Sequence, residues 1–183
     1  LKLARNALAQ LGSFMDGEGN VIKWSYIEQL QNLQAKEGLN LANKLTTNHL
    51  QFEKHKMNVR LAAQTLSSSV ANAIDFLDKS AKLPSFFESN GTVKFIRTID
   101  RLFDMLNSRN PLAKGFKTPL RLSNQDTWRE ILLSTAEYLL SLKTTTPVPQ
   151  PLSTSQRKTF VVGFVTCIKS TISMATQMLS LST

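Results

Sequence analysis

Apolar residues recur along this chain at three- and four-residue spacing, the repeat of one helical face. The pattern is clearest around the middle, where Phe95, Ile96, Ile99, Leu102, Phe103 and Leu106 share a stripe. From Asn58 to Leu77 a second stripe, from Val59 through Ala62, Leu66, Val70 and Ile74 to Leu77, predicts one long helix with Asn58 as its N-cap. Leu66, Val70, Ile99, Leu102 and Leu106 are the expected fully buried positions. A first helix runs from Leu1 and stops at Gly12-Ser13; a second spans Trp24 to Glu37, with Gly38 in the left-handed C′ role. Asn124 or Asp126 opens another helix to about Leu142, and Ser153 to Ser155 offer caps for a last one to about Leu179. Leu39 to Phe52 is irregular, Val21-Ile22 is a short extended piece, and Pro147 to Pro151 reads as a semi-rigid linker. Almost no alternating pattern occurs. The expectation is an all-α domain of about six helices, the central one packed against Asn58–Leu77 and the C-terminal helix.

The polar positions add a second pattern to the central helix. Asp100, Asp104 and Asn107 fall at i, i+4 and i+7 and line one edge. Carboxylates four apart repel by a few tenths of a kcal/mol unless a cation or a ligand's donors lie between them. Arg97 and Arg101 are at hand to supply the cation. The edge is therefore either a solvated ion-pair face or a ligand-reading one. Beyond it, Pro111, Gly115 and Pro119 mark a loop carrying Lys114, Lys117 and Arg121. Lys44, His49, Lys54, His55 and Lys56 cluster in the irregular stretch. Two histidines without a carboxylate pair make a poor metal site, so surface residues or weak anion contacts are expected there.

The chain has 183 residues, with Lys+Arg 22 against Asp+Glu 13 and a formal charge of +9. That balance favours polyanionic partners such as nucleic acid or nucleotide phosphates. A single cysteine, Cys167, excludes an internal disulfide and reads as a small buried hydrophobe. The longest apolar run, Phe160 to Ile168, is too short to span a bilayer and contains Gly163, so no membrane partner is expected. A phosphate-binding glycine loop ending in Lys-Ser/Thr is missing, as is a Gly-x-Ser-x-Gly elbow. No catalytic residue and no metal ligand set is proposed from spacing. Asp100 and Asp104 alone are an incomplete shell for a hard cation.

Three strings point further: Ile99-Asp-Arg-Leu-Phe-Asp-Met-Leu-Asn-Ser-Arg109, Lys56-Met-Asn-Val-Arg-Leu-Ala-Ala-Gln-Thr-Leu-Ser67 and Leu1-Lys-Leu-Ala-Arg-Asn6. In their chain order they resemble the P-element-type DNA transposases, a group that includes vertebrate members with an N-terminal THAP zinc finger. The resemblance implies a helical, GTP-binding insertion in an RNase H-like fold. Residues 1–22 would be the tail of that fold and 23–183 the insertion. GTP would serve as a non-hydrolysed cofactor that helps hold transposon-end DNA during DNA recombination. The catalytic acids, and the Mg²⁺ the parent enzyme needs, would lie outside this chain, in a nuclear protein able to form a homo-oligomer. By the same resemblance Lys44 would face phosphates, and Val59 would offer its backbone with Ser67 further along. Phe103, Asp104 and Asn107 would come from the central helix. Asn58 stands where the family has a lysine, with Lys56 and Arg60 beside it. Lys114, Lys117 and Arg121 would touch DNA. The alternative is a helical DNA- or protein-interaction module of the same ancestry that has lost nucleotide binding.

Overall fold

The computed structural model describes residues 1–39, 41, 43–145 and 148–181. Among these the chain runs α1 (Lys2–Leu11), β1 (Ser13–Met15), β2 (Val21–Lys23), α2 (Ser25–Glu37), α3 (Thr47–Leu50) and α4 (Val59–Thr65). It continues as α5 (Ser68–Lys79), α6 (Asn90–Leu106), α7 (Gln125–Ser141), β3 (Lys143–Thr144) and α8 (Thr159–Ser180). The fold is all-α, with one small antiparallel sheet in the order β2-β1-β3. Strands of two or three residues are too short to show alternation, and only the Val21-Ile22 piece is visible in the sequence.

The central helix is α6, longer at its start than the pattern predicts. Asn90 and Gly91 form its first residues. A Cβ on Gly91 would lie 2.6 Å from the carbonyl oxygen of Val21, so only glycine lets α6 come this close to β2. Thr92, inside its first turn, accepts a hydrogen bond from the Lys23 amide at 3.0 Å. As expected, α6 packs on α5 and on α8. Leu66, Val70, Ile99 and Leu102 are buried. Leu106 is only half-buried, because it ends α6 at the rim of a cleft beside Met105, Leu120 and Thr171.

The long helix predicted over Asn58–Leu77 is two helices. Asn58 does cap α4, accepting from the Leu61 amide at 3.0 Å. At Ser67 the backbone turns extended (φ −101°, ψ 153°), and its hydroxyl bonds back to the Gln64 carbonyl at 2.9 Å. A run of three serines offers the backbone such alternatives to the helical ladder. The new N-terminus at Ser68 is then satisfied from outside: its amide (2.9 Å) and hydroxyl (2.5 Å) both donate to one oxygen of Asp100. The apolar stripe runs straight across the break and so conceals it.

The α1 end is tied down by Arg5, which is fully buried. It donates to Asn6 Oδ1 and to the His55 carbonyl, each at 2.8 Å, while Asn6 donates to the Lys56 carbonyl at 3.1 Å. His49 is not a surface residue either. It is buried; its Nδ1 accepts from the Thr46 amide at 2.9 Å, so Nε2 donates to Gln64 Oε1 at 3.0 Å. Gly38 adopts the expected left-handed conformation (φ 62°).

The proline-rich stretch is a closed turn where it is described. Thr144 donates to the Gln150 carbonyl and Leu152 to that of Leu142, both at 2.8 Å, so its two ends pair with each other. Pro147 lies outside the described residues. Past it, Leu152–Thr154 forms a 3-10 turn, and α8 begins only at Thr159. By length and composition α8 could cross a membrane, a property the shorter run Phe160–Ile168 does not suggest. Its Phe160, Val161, Val165 and Ile168 are nevertheless built into the core. Cys167 falls off that stripe and is exposed, not buried.

Candidate functional site

The face of α6 that carries Asp100 and Asp104 borders a cleft of about 760 Å³. Small-molecule sites run from about 300 to 1,000 Å³. Along α6 it is lined by Lys94, Arg97, Asp100, Arg101 and Asp104. Ser68 and Lys79 of α5, Glu18 of the β1–β2 turn and Phe116 also line it. Phe116 belongs to the loop from Pro111 to Arg121, which is folded rather than free. Gly115–Lys117 is a 3-10 turn seated on α6, and Ser108 donates to the Lys117 carbonyl. Arg121 donates to the Pro111 carbonyl at 3.3 Å, and its own carbonyl accepts from Trp128 Nε1 at 3.2 Å. Lys114 is exposed at the start of the turn.

The two aspartates have separate tasks. Asp100 is occupied by Ser68, as described above. Asp104 has one charged partner among the described residues, Lys117 Nζ at 3.4 Å, and the lysine side chain is 58% exposed. Such a pair is worth about 0–1 kcal/mol. The solvated reading, with Arg97 or Arg101 neutralising these carboxylates, is not what forms. Arg97 instead donates to Asn72 at 2.9 Å and to Asp75 at 3.2 Å. Burial by itself would raise the Asp75 carboxyl, but hydrogen bonds and charge from Lys79 and Arg97 outweigh it and hold it below the ordinary carboxylate value. Asp75 therefore adds stability that is present above its unfolded pKa and is lost as pH falls through the depressed folded value. Lys94 pairs with Glu18 at 3.0 Å. The Arg101 guanidinium lies over the Phe116 ring, 5.6 Å from its centroid.

Of the residues singled out by resemblance to the nucleotide site, Asp104 alone lines this cleft. Phe103 is half-buried and Asn107 is exposed, its amide closing the C-terminus of α6 on the Phe103 carbonyl. Ser67 adjoins Ser68, and so lies next to Asp100. Lys44 and Val59 are exposed on the α3–α4 side and do not line the cleft. Sequence reasoning missed Phe116 as a wall residue. Its signal was an aromatic between Gly115 and Lys117, where a loop has little core to reach.

The site is a cleft of small-ligand size in a helical domain, with one carboxylate paired only to an exposed lysine and a rim of cations. The chain belongs to the family described as the TNP-like, GTP-binding insertion domain, which matches residues 1–119. It is 32% identical over 145 residues to DNA transposase THAP9 of Homo sapiens, covering 79% of this chain and 16% of that relative. In fold it is similar to the Drosophila P element transposase in its strand transfer complex. There the TM-score is 0.73 at 20% identity, over 97% of this chain and 38% of that one. The chain thus spans about a sixth of the length of the human relative.

Proposed function

We propose that this chain binds a guanine nucleotide, with Asp104 reading the base, as part of a P-element-like DNA transposase. One observation supports this above all: Asp104 lines the cleft with only an exposed lysine at 3.4 Å as a charged partner among the described residues. Guanine presents two adjacent donors, N1–H and the exocyclic amine, which one carboxylate accepts together. Adenine has no such pair on that edge. Phe103 and Asn107 flank Asp104, and Lys44, Val59 and Ser67 are assigned to the nucleotide by resemblance. GTP is read as a non-hydrolysed cofactor that positions DNA ends for cut-and-paste transposition. The catalytic acids and Mg²⁺ belong to the rest of a nuclear, self-associating parent, with residues 1–22 as the tail of its RNase H-like fold and 23–183 as the insertion. Titration with a fluorescent guanine nucleotide tests the reading. GTP should displace the probe and ATP should not; equal displacement by ATP would remove base reading from Asp104. An interaction module that has lost its nucleotide would show no saturable probe binding at all.

Lys114, Lys117 and Arg121 are proposed to touch DNA phosphates. All three are exposed on the loop that walls the cleft. Changing them together to Ala should flatten the salt dependence of DNA binding by roughly 0.9 in log–log slope for each phosphate no longer neutralised. A slope equal to that of the parent chain would exclude them.

A further inference from the structure

The last helix carries more apolar surface than the core uses. α8 has 22 residues, and only 28% of its most apolar stretch is buried in the fold. Part of the remainder lies beside α7, along which α8 packs after the closed turn between Leu142 and Leu152. A groove of about 380 Å³ runs between the two helices. Arg129 and Leu133 line it from α7, and Lys169, Ile172, Ser173 and Thr176 from α8. These residues come from the first half of α7 and the second half of α8, as antiparallel neighbours require. Seven residues on from Leu133 is Leu140, and seven back from Lys169 is Val162. A seven-residue step nearly keeps the face of a helix, so the strip continues in one direction along both. Leu133, Leu140 and Val162 are each 46% exposed. From Arg129 to Leu140 is eleven residues, about 16 Å at 1.5 Å per residue, the length of three helical turns.

The charge on this strip has one sign. Arg129 and Lys169 are exposed, and neither has a carboxylate partner among the described residues. Asp126, Glu130 and Glu137 are exposed on α7, but none of them lines the groove. Leu133 and Ile172 give a phosphodiester backbone nothing to bind. A helix with one apolar face, by contrast, fits the furrow between two packed helices. Carboxylates beside that face would meet Arg129 and Lys169 and steer the approach. A second copy of this chain is a poorer match, because a two-fold contact sets a patch against itself, cations against cations. A small apolar centre inside a polar rim is the anatomy of an interface that forms and separates.

We infer that the α7–α8 groove is a docking site for a short acidic amphipathic helix of another protein. The apolar stripe of that helix lies on Leu133, Leu140, Val162 and Ile172, and its carboxylates pair with Arg129 and Lys169. The groove shares no lining residue with the cleft at Asp104, so this site is independent of the nucleotide reading.

Two synthetic helical peptides serve as probes. Both carry leucines at i, i+3, i+4 and i+7; one has glutamates beside the stripe and the other lysines. Fluorescence anisotropy with the 183-residue chain should show saturable binding of the acidic peptide, and binding of the basic one at least about tenfold weaker. Arg129→Glu combined with Lys169→Glu should reverse that preference. Leu133→Ser should weaken the acidic peptide by roughly tenfold, while Phe76→Ala, at an exposed ring outside the groove, leaves it unchanged. All four positions are exposed, and melting curves check that each variant folds as the parent does. The inference falls if the acidic peptide does not saturate, if both peptides bind equally, or if the charge-reversed chain keeps the parent's preference. Equal weakening by Phe76→Ala and Leu133→Ser would also overturn it. So would sedimentation of the chain alone as a dimer that Leu133→Ser dissociates, since a second copy then fills the groove.

Discussion

Asp104→Asn is expected to weaken GTP roughly 10²- to 10³-fold, the worth of two charge-assisted hydrogen bonds, and to move preference towards xanthosine triphosphate. The amide oxygen still accepts from N1–H, but the amide nitrogen now faces the exocyclic amine of guanine, donor against donor. Xanthine carries an oxygen there, which the amide can donate to. A site built around a hydrogen bond rejects the ligand that leaves its buried group unpaired. The fold should tolerate the change, since the ion pair it removes, with Lys117, is an exposed one. Calorimetric affinities of the parent and variant for the two triphosphates make the comparison. A variant that binds GTP as the parent does would show that Asp104 does not read the base.

Phe95→Ala should destabilise the chain by about 3–5 kcal/mol. Phe95 is fully buried, its ring edge-on to that of Phe14 at 5.1 Å, and Phe14 in turn meets Phe160 at 6.2 Å. These three rings join α6, β1 and α8, so the cavity opens where three elements meet and none can close it alone. Urea denaturation followed by circular dichroism reads the loss. Phe76→Ala, at a ring 51% exposed, is the control and should stay within about 0.5 kcal/mol. Equal losses for the two would mean that Phe95 is not where the core is held.

Much of this fold was legible because the periodicity of a helix survives whatever it packs against. The stripe on α6, the turn at Gly38 and the Asn58 cap all follow from local rules. What escaped depends on partners distant in sequence. The break at Ser67 is fixed by Asp100, thirty-three residues on, and nothing in the stripe announces it. His49 reads as a surface residue until Thr46 and Gln64 close around its two nitrogens. Cys167 reads as buried because the run Phe160–Ile168 around it is largely apolar, although only one stripe of α8 meets the core. At the site, resemblance picks out Asp104, while Arg101 and Phe116 emerge only when the loop folds back on α6.

The pairing of Asp104 with Lys117 gives ionic strength two opposed effects on a nucleotide held as proposed. Lys117 is more than half exposed, so dissolved ions screen its hold on the carboxylate. A base must push that ammonium aside before it can seat, and salt makes the displacement easier. The same ions screen the attraction between the ligand's phosphates and a chain of formal charge +9. The uncharged nucleoside feels only the first effect, whereas the triphosphate feels both, with the second dominant. The base and the phosphates of one ligand therefore respond to salt with opposite signs.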